Sequence, residues 1–212
     1  MDEAKTWRLI HEGRSAAADM LAALTPDQWS KPSLCAGWSV QVAAGHIVVG
    51  AEQTSAGFAK GMATNLFRFN TMVDRDARRL GALPPGEIVE RLRARTRTTN
   101  RPPAPVMAML GEIVVHIEDI RRPLGLEGDS NPEAVAACLE MFSGANFPVG
   151  GKKRVDGLRL VADDVGWSHG AGPEVSGPGL SLVLAMAGRD VGLEGLVGTG
   201  VTSLRGRMPS TA

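Results

Sequence analysis

Apolar residues recur at three- and four-residue steps through the first two thirds of the chain. Trp7, Ile10, Met20, Leu21 and Leu24 mark one such stretch and predict a helix over residues 3–24. Thr25, with Pro26 next and Gln28 three residues on, has the form of a helix cap. Pro32 and Gly37 make residues 31–38 a loop, and Ser39 is placed to cap a second helix over 39–60. Leu66, Phe69, Val73 and Leu80 predict a third helix over 63–80. Pro84 and Pro85 break the chain before a helix over 86–99, and Pro102, Pro103 and Pro105 break it again. A long helix then runs to residue 122, where Pro123 stops it. Asn131, Pro132 and Glu133 open one more helix, reaching residue 142.

From residue 144 the pattern changes. Glycine becomes frequent, and short β-like runs appear at 158–162, 174–176 and 201–204, with a small helix at 178–188. The chain therefore reads as mainly α: a helical bundle over residues 1–142, then a small α+β domain over 143–212. With 43% hydrophobic and 22% charged residues among 212, it can bury a substantial core and is not disordered. A formal net charge of zero gives no long-range pull toward nucleic acid or an anionic membrane. No apolar run approaches the roughly 20 residues of a membrane span, and the first residues lack the basic-then-apolar form of a signal peptide. Cys35 and Cys138 form no CxxC pair. A reduced, cytoplasmic setting is the expectation.

Candidate chemistry concentrates in three residues. Glu112 and His116 stand four apart in Gly111-Glu-Ile-Val-Val-His-Ile-Glu-Asp-Ile120, which stacks a carboxylate and an imidazole one helical turn apart. At about 100° per residue His116 lies about 40° from Glu112, and Val106, Met109, Ile113 and Ile120 fall close by on the buried side. Glu118 falls opposite and is expected in solvent. Asp119, one turn below the pair, is placed to hydrogen-bond a ligand from behind. His46 lies in the apolar run Ala43-Ala-Gly-His-Ile-Val-Val-Gly50, where Ala43, Gly45 and Gly50 permit close helix approach. If the two helices pack, two nitrogens and one oxygen converge in a three-ligand set with open positions. A histidine on an apolar face also serves as an ordinary core residue, and Glu112–His116 as an ordinary intrahelical contact.

Four segments together resemble the mycothiol-dependent maleylpyruvate isomerase family of the DinB-like superfamily. They are Trp29-Ser-Lys-Pro-Ser-Leu-Cys-Ala-Gly-Trp38 with Ser39 and Val40, the run bearing His46, the stretch from Gly111 to Gly125, and the tail. The tail carries Asp163-Asp-Val-Gly-Trp167, Gly177-Pro-Gly179 and Ala187-Gly-Arg189. Their order spans nearly the whole chain. The resemblance implies a DinB-like four-helix bundle followed by a small α+β C-terminal domain. It implies a divalent metal, usually Zn2+, held by His46, Glu112 and His116, and mycothiol as cosubstrate. It further implies thiol S-transfer or cis-trans isomerisation of a small electrophile, through a metal-bound thiolate, with Arg189 holding a carboxylate of the substrate. The expected partners are that electrophile and a low-molecular-weight thiol, with no nucleic acid and no membrane, in a monomer or homodimer. The loops after Gly61 and Gly144 look trimmed for the isomerase, which alters the substrate pocket. A non-catalytic metal-binding or ligand-sensing module on the same scaffold is the alternative.

The remaining candidates are weaker. His11 is expected at the surface, and His169 in a loop. Cys35, in the loop before the second helix, reads either as a neighbour of the site or as a small buried thiol. Trp38 and Trp167 read as packing anchors. Arg91, Arg93, Arg95 and Arg97 alternate within a helix and cannot form one stripe, so a solvated surface is expected.

Overall fold

A computed structural model describes residues 1–128, 130–147 and 149–209. The chain divides into two compact units, Met1–Gly128 and Asp129–Ala212. The first unit is entirely helical among its described elements: α1 (Glu3–Ala22), α2 (Pro26–Ser30), α3 (Val40–Glu52), α4 (Ser55–Thr64), α5 (Phe69–Gly81), α6 (Pro85–Arg95) and α7 (Val106–Arg121). A 3-10 turn, Arg122–Leu124, follows α7.

Four of these helices close into a bundle: α1 packs on α6 and α7, and α3 packs on the same two. Ile10, Ala17 and Leu21 of α1, Val40, Ala44, Ile47 and Val48 of α3, Ile88 and Leu92 of α6, and Leu110 and Ile120 of α7 form its buried interior. Helix α5 lies against the outside of α3. There the backbones nearly touch, since a Cβ on Gly45 would stand 2.5 Å from Gly81 N and 2.7 Å from Ala77 O.

The caps are where the sequence puts them. Ser39 Oγ accepts from Val42 N at the start of α3, and Thr25 and Gln28 make a reciprocal capping box at α2. Two expected helices are split, however. The helix expected over 39–60 ends at Glu52 because Gln53 is extended and Thr54 caps a new helix, its hydroxyl accepting from Gly57 N at 3.0 Å. The helix expected over 63–80 starts only at Phe69, because Leu66 and Phe67 take left-handed backbone angles (φ 53° and 59°) that no α-helix continues through.

The second unit contains α8 (Pro132–Gly144), α9 (Gly151–Val155), β1 (Arg159–Ala162), β2 (Trp167–His169), β3 (Glu174–Gly177), α10 (Gly179–Met186), a 3-10 turn over Asp190–Leu193 and α11 (Val201–Arg205). Helix α8, which the sequence pattern attaches to the bundle, belongs here: it packs on α9 and α10, burying Cys138, Leu139 and Phe142. The sheet has the order β2-β1-β3, antiparallel between β1 and β2 and parallel between β1 and β3. Leu160 and Ala162 alternate inward from β1 toward the largely buried helix α10. His169, expected in a loop, is therefore a strand residue opposite Leu160. The run 201–204, expected as a strand, is helical. Val197 already exchanges two 2.8 Å hydrogen bonds with Ser176 on the edge of β3, and Gly200 N donates to Glu174 O. With that edge closed, the run has no strand to pair with and turns into a helix.

Candidate metal centre

Helices α3 and α7 run antiparallel past each other, and their register sets His46, Glu112 and His116 along one interface. The rings of His46 and His116 meet edge to face with centroids 4.6 Å apart. One turn later on α3 is Gly50, and one turn earlier on α7 is Glu112. A Cβ on Gly50 would overlap the Glu112 carboxylate, so the glycine makes the space that the carboxylate fills. The pairs 46/116 and 50/112 are successive rungs of one interface.

The imidazole of His116 is fixed from behind. Asp119 Oδ2 lies 2.8 Å from His116 Nδ1. A carboxylate only accepts, so Nδ1 carries the hydrogen and Nε2 is the nitrogen left to bind a ligand. Burial alone would lower the His116 pKa, but its hydrogen bonds with Asp119 and Cys35 outweigh it and hold it up to about 10. Burial pushes Glu112 up to about 7, against the pull of His116 and Arg14.

Arg14 is the cation that the sequence pattern does not reveal. It stands in the apolar stripe of α1, between Ile10 and Ala17, with 3% of its surface exposed. Its Nη1 donates to Thr98 O at 2.8 Å and its Nη2 to Gly50 O at 3.4 Å, while Thr98 Oγ1 donates to Ala51 O. Gly50 and Ala51 lie in the last turn of α3, whose carbonyls have no partner within the helix. A cation there also suits the negative end of the helix dipole. Burial lowers the Arg14 pKa and the Glu112 charge raises it. The available signal was a charged residue on the buried side of a helix.

The loop over residues 31–38 is strapped across this interface. Pro123 has no N–H, so the Asp119 carbonyl has no helical partner four residues on; Leu34 N supplies one at 2.9 Å. Cys35 follows, its Sγ donating to Asp119 Oδ2 at 3.1 Å and lying 3.7 Å from His116 Nδ1. Cys35 is thus a neighbour of the site rather than a core thiol. At the other end, Trp38 packs its ring 5.2 Å from that of His46 and donates Nε1–H to Asp74 Oδ1 at 2.8 Å. Arg78 donates from Nε to both oxygens of the same carboxylate and from Nη2 to Gly37 O.

Glu118 departs from its expected place in solvent. It is 1% exposed and bonded to Arg121 and Arg122. Helix α7 is buried on more than one side, and the Arg121 guanidinium lies where a Cβ on Gly128 would clash. Arg189 lies in the second unit, at the start of the 3-10 turn over Asp190–Leu193, where Nη1 donates to Ala187 O at 2.8 Å. Its charge lowers the pKa of Arg154, after burial, the larger cause. His11 is partly enclosed, stacked on Trp7 with centroids 5.8 Å apart.

Residues 10–106 match the family described as the mycothiol maleylpyruvate isomerase N-terminal domain. Two crystal structures share the fold: the mycothiol-dependent maleylpyruvate isomerase and a histidine-to-alanine mutant of it, at TM-scores of 0.65 and 0.67. Each is 14% identical to this chain, with 94% of this chain and 93% of the other covered. No curated protein matches the sequence. The family match names the family that the sequence motifs resemble, and the fold is the mainly α one expected. Among the described residues no helix is long and apolar enough to cross a membrane.

Proposed function

From a chain whose residues 10–106 carry the mycothiol maleylpyruvate isomerase N-terminal domain, we propose a metal-dependent enzyme that adds a low-molecular-weight thiol, mycothiol, to a small electrophile. The observation that carries this reading is the α3/α7 register, with His46 on His116, Glu112 in the notch of Gly50, and Asp119 behind His116. Two imidazoles and one carboxylate are a donor set that suits Zn2+, whereas the donor atoms that already lie within 4.8 Å of one another are those of Cys35, His116 and Asp119. Glycine is needed at position 50 for the carboxylate to sit where it does, and Asp119 commits Nε2 of His116 to the ligand side.

His46, Glu112 and His116 would hold the ion. When bound, it supplies the Lewis acidity that favours thiolate over thiol near neutral pH. The chain's own residues do the rest. Asp119 keeps the proton on His116 Nδ1 and orients the ring. Arg14 offsets the buried negative charge of Glu112 and ties down the end of α3. Trp38 packs its ring against that of His46. Attack of the thiolate sulfur on an activated alkene makes one C–S bond and moves the alkene electron pair onto the conjugated carbonyl. Rotation and loss of the thiolate then complete a cis-trans isomerisation, whereas protonation at carbon leaves a thiol adduct.

Elemental analysis of protein purified without chelator tests the ligands. About one divalent ion per chain is expected, lowered in His46→Ala and lost in His116→Ala. Unchanged metal in both variants would overturn the assignment. Turnover of α,β-unsaturated dicarboxylates with and without thiol tests the activity. Metal and thiol binding without turnover would make the protein a ligand-sensing module instead.

A further inference from the structure

Cys35 brings a second ligand set to the histidine that the proposed centre already uses. Its Sγ, His116 Nδ1 and Asp119 Oδ2 all lie within 4.8 Å of one another, at separations of 3.7, 3.1 and 2.8 Å. Tetrahedral zinc, with bonds of about 2.3 Å to sulfur and 2.0–2.2 Å to nitrogen and oxygen, sets its ligand atoms roughly 3.4–3.6 Å apart. The cluster therefore needs to open by only about half an ångström to receive an ion of that size. Its parts are held independently: His116 and Asp119 by α7, and Cys35 by the strap whose Leu34 N is bonded to Asp119 O. Cys35 is half-buried, and 15% of the His116 side chain remains exposed.

We propose that Cys35 Sγ, His116 Nδ1 and Asp119 Oδ2 form a second cation site, selective for thiophilic divalent ions. The thiolate supplies the selectivity, since a soft ligand favours Zn2+ or Cd2+ over Mg2+ or Ca2+. Entry of the ion forms an M–S, an M–N and an M–O bond, releases the Cys35 Sγ proton to solvent and moves the His116 proton from Nδ1 to Nε2. The site rests on the proposed function only through the shared histidine, and that sharing has a consequence. A neutral imidazole has one nitrogen lone pair. An ion at Nδ1 therefore withdraws His116 from the Nε2 side and takes Asp119 away from orienting it. The two sites compete, and an excess of a thiophilic ion inhibits through Cys35.

Cadmium titration of the metal-free full-length chain, followed by thiolate-to-cadmium charge-transfer absorption, tests this. The band is expected in the wild type and in Cys138→Ser, and absent in Cys35→Ser with its helical circular dichroism intact. His46→Ala is expected to keep the band, which separates this site from the proposed centre. A wild type without the band, a Cys35→Ser variant that retains it, or a His46→Ala variant that loses it would each overturn the proposal. Alkylation needs no variant: Cd2+ is expected to slow reaction of Cys35 with iodoacetamide in the native wild type, and an unchanged rate would overturn the proposal equally.

Discussion

Gly50 and Glu112 occupy one space: where the Cβ of any other residue at position 50 would stand, the carboxylate of Glu112 already is. Gly50→Ala therefore sets two effects against each other. Alanine in place of glycine within a helix is favourable by about 0.8–1 kcal/mol. Forcing a methyl group into a packed site costs about 1–3 kcal/mol. Since the group displaced is a carboxylate on the opposite helix, the second effect should win, with a net loss of about 1 kcal/mol and a sharp fall in bound metal. Urea denaturation of the metal-free protein and elemental analysis of the purified variant check both halves. A variant that is more stable and fully metallated would show that Glu112 has room to move and that the glycine is not needed.

Asp119 touches His116 from the side away from the proposed ion, so its effect on metal is indirect. Asp119→Asn keeps an acceptor oxygen but gives up the charge that strengthens the hydrogen bond to Nδ1. Metal affinity should fall by about 10–100-fold, as for other carboxylates that orient a metal-bound histidine. Asp119→Ala should fall further, because that side chain offers Nδ1 no acceptor oxygen at all. Competition against a chromogenic chelator gives the ratios, and equal affinities in all three proteins would remove Asp119 from the site's workings.

The pair Glu118–Arg121 lies within the first unit, nearly closed to solvent, with Arg122 as a second cation at 2.8 Å. Removing one partner from a buried pair typically costs about 3–5 kcal/mol, because a charge is stranded. Arg121→Met should sit at the low end, since Arg122 remains. Replacing both, as Glu118→Leu with Arg121→Met, should cost less than the sum of the single changes. A double-mutant cycle from urea midpoints measures the coupling, and strictly additive losses would mean that the two charges do not depend on each other.

Much of the candidate site was legible in the sequence because it is helical. Spacing of four between Glu112 and His116 and of three between His116 and Asp119 fixes which side chains share a face, whatever else the fold does. The partner helix was also recognisable, but its register was not, and register is what assigns Gly50 to Glu112. Cys35 lies in a loop, where periodicity places nothing; Pro123, which frees the Asp119 carbonyl to hold that loop, reads in the sequence only as a helix stop. Glu118 is misplaced by a helical wheel that assumes one buried face, whereas Val114, Val115, Glu118 and Arg121 are buried along with Leu110 and Ile113. The left-handed pair Leu66 and Phe67 breaks a helix without glycine or proline to announce it.

Asp74 gives the fold a measurable acid dependence. Its carboxyl is held below the ordinary aspartate value, first by the hydrogen bond from Arg78 and then by that from Trp38. A carboxyl depressed in the folded state binds protons more weakly there than in the unfolded chain. Its contribution is therefore fully present above the ordinary aspartate range of about 3.9 and is lost as pH falls through the lower folded value. The stability difference between the wild type and Asp74→Asn should be constant from about pH 5 to 7 and shrink toward zero in acid. Both side chains of the Arg78 pair are about half exposed, so added salt should weaken that part while leaving the Trp38 bond. Trp38 reports on the same residue directly. Because its indole is anchored to Asp74 while its ring lies on His46, the Trp38 part of the acid change in tryptophan fluorescence, taken as the difference from a Trp38→Phe variant, should be present with Asp74 and absent in Asp74→Asn. A difference in stability that persists undiminished in acid would mean that the asparagine acts through packing rather than through the lost charge.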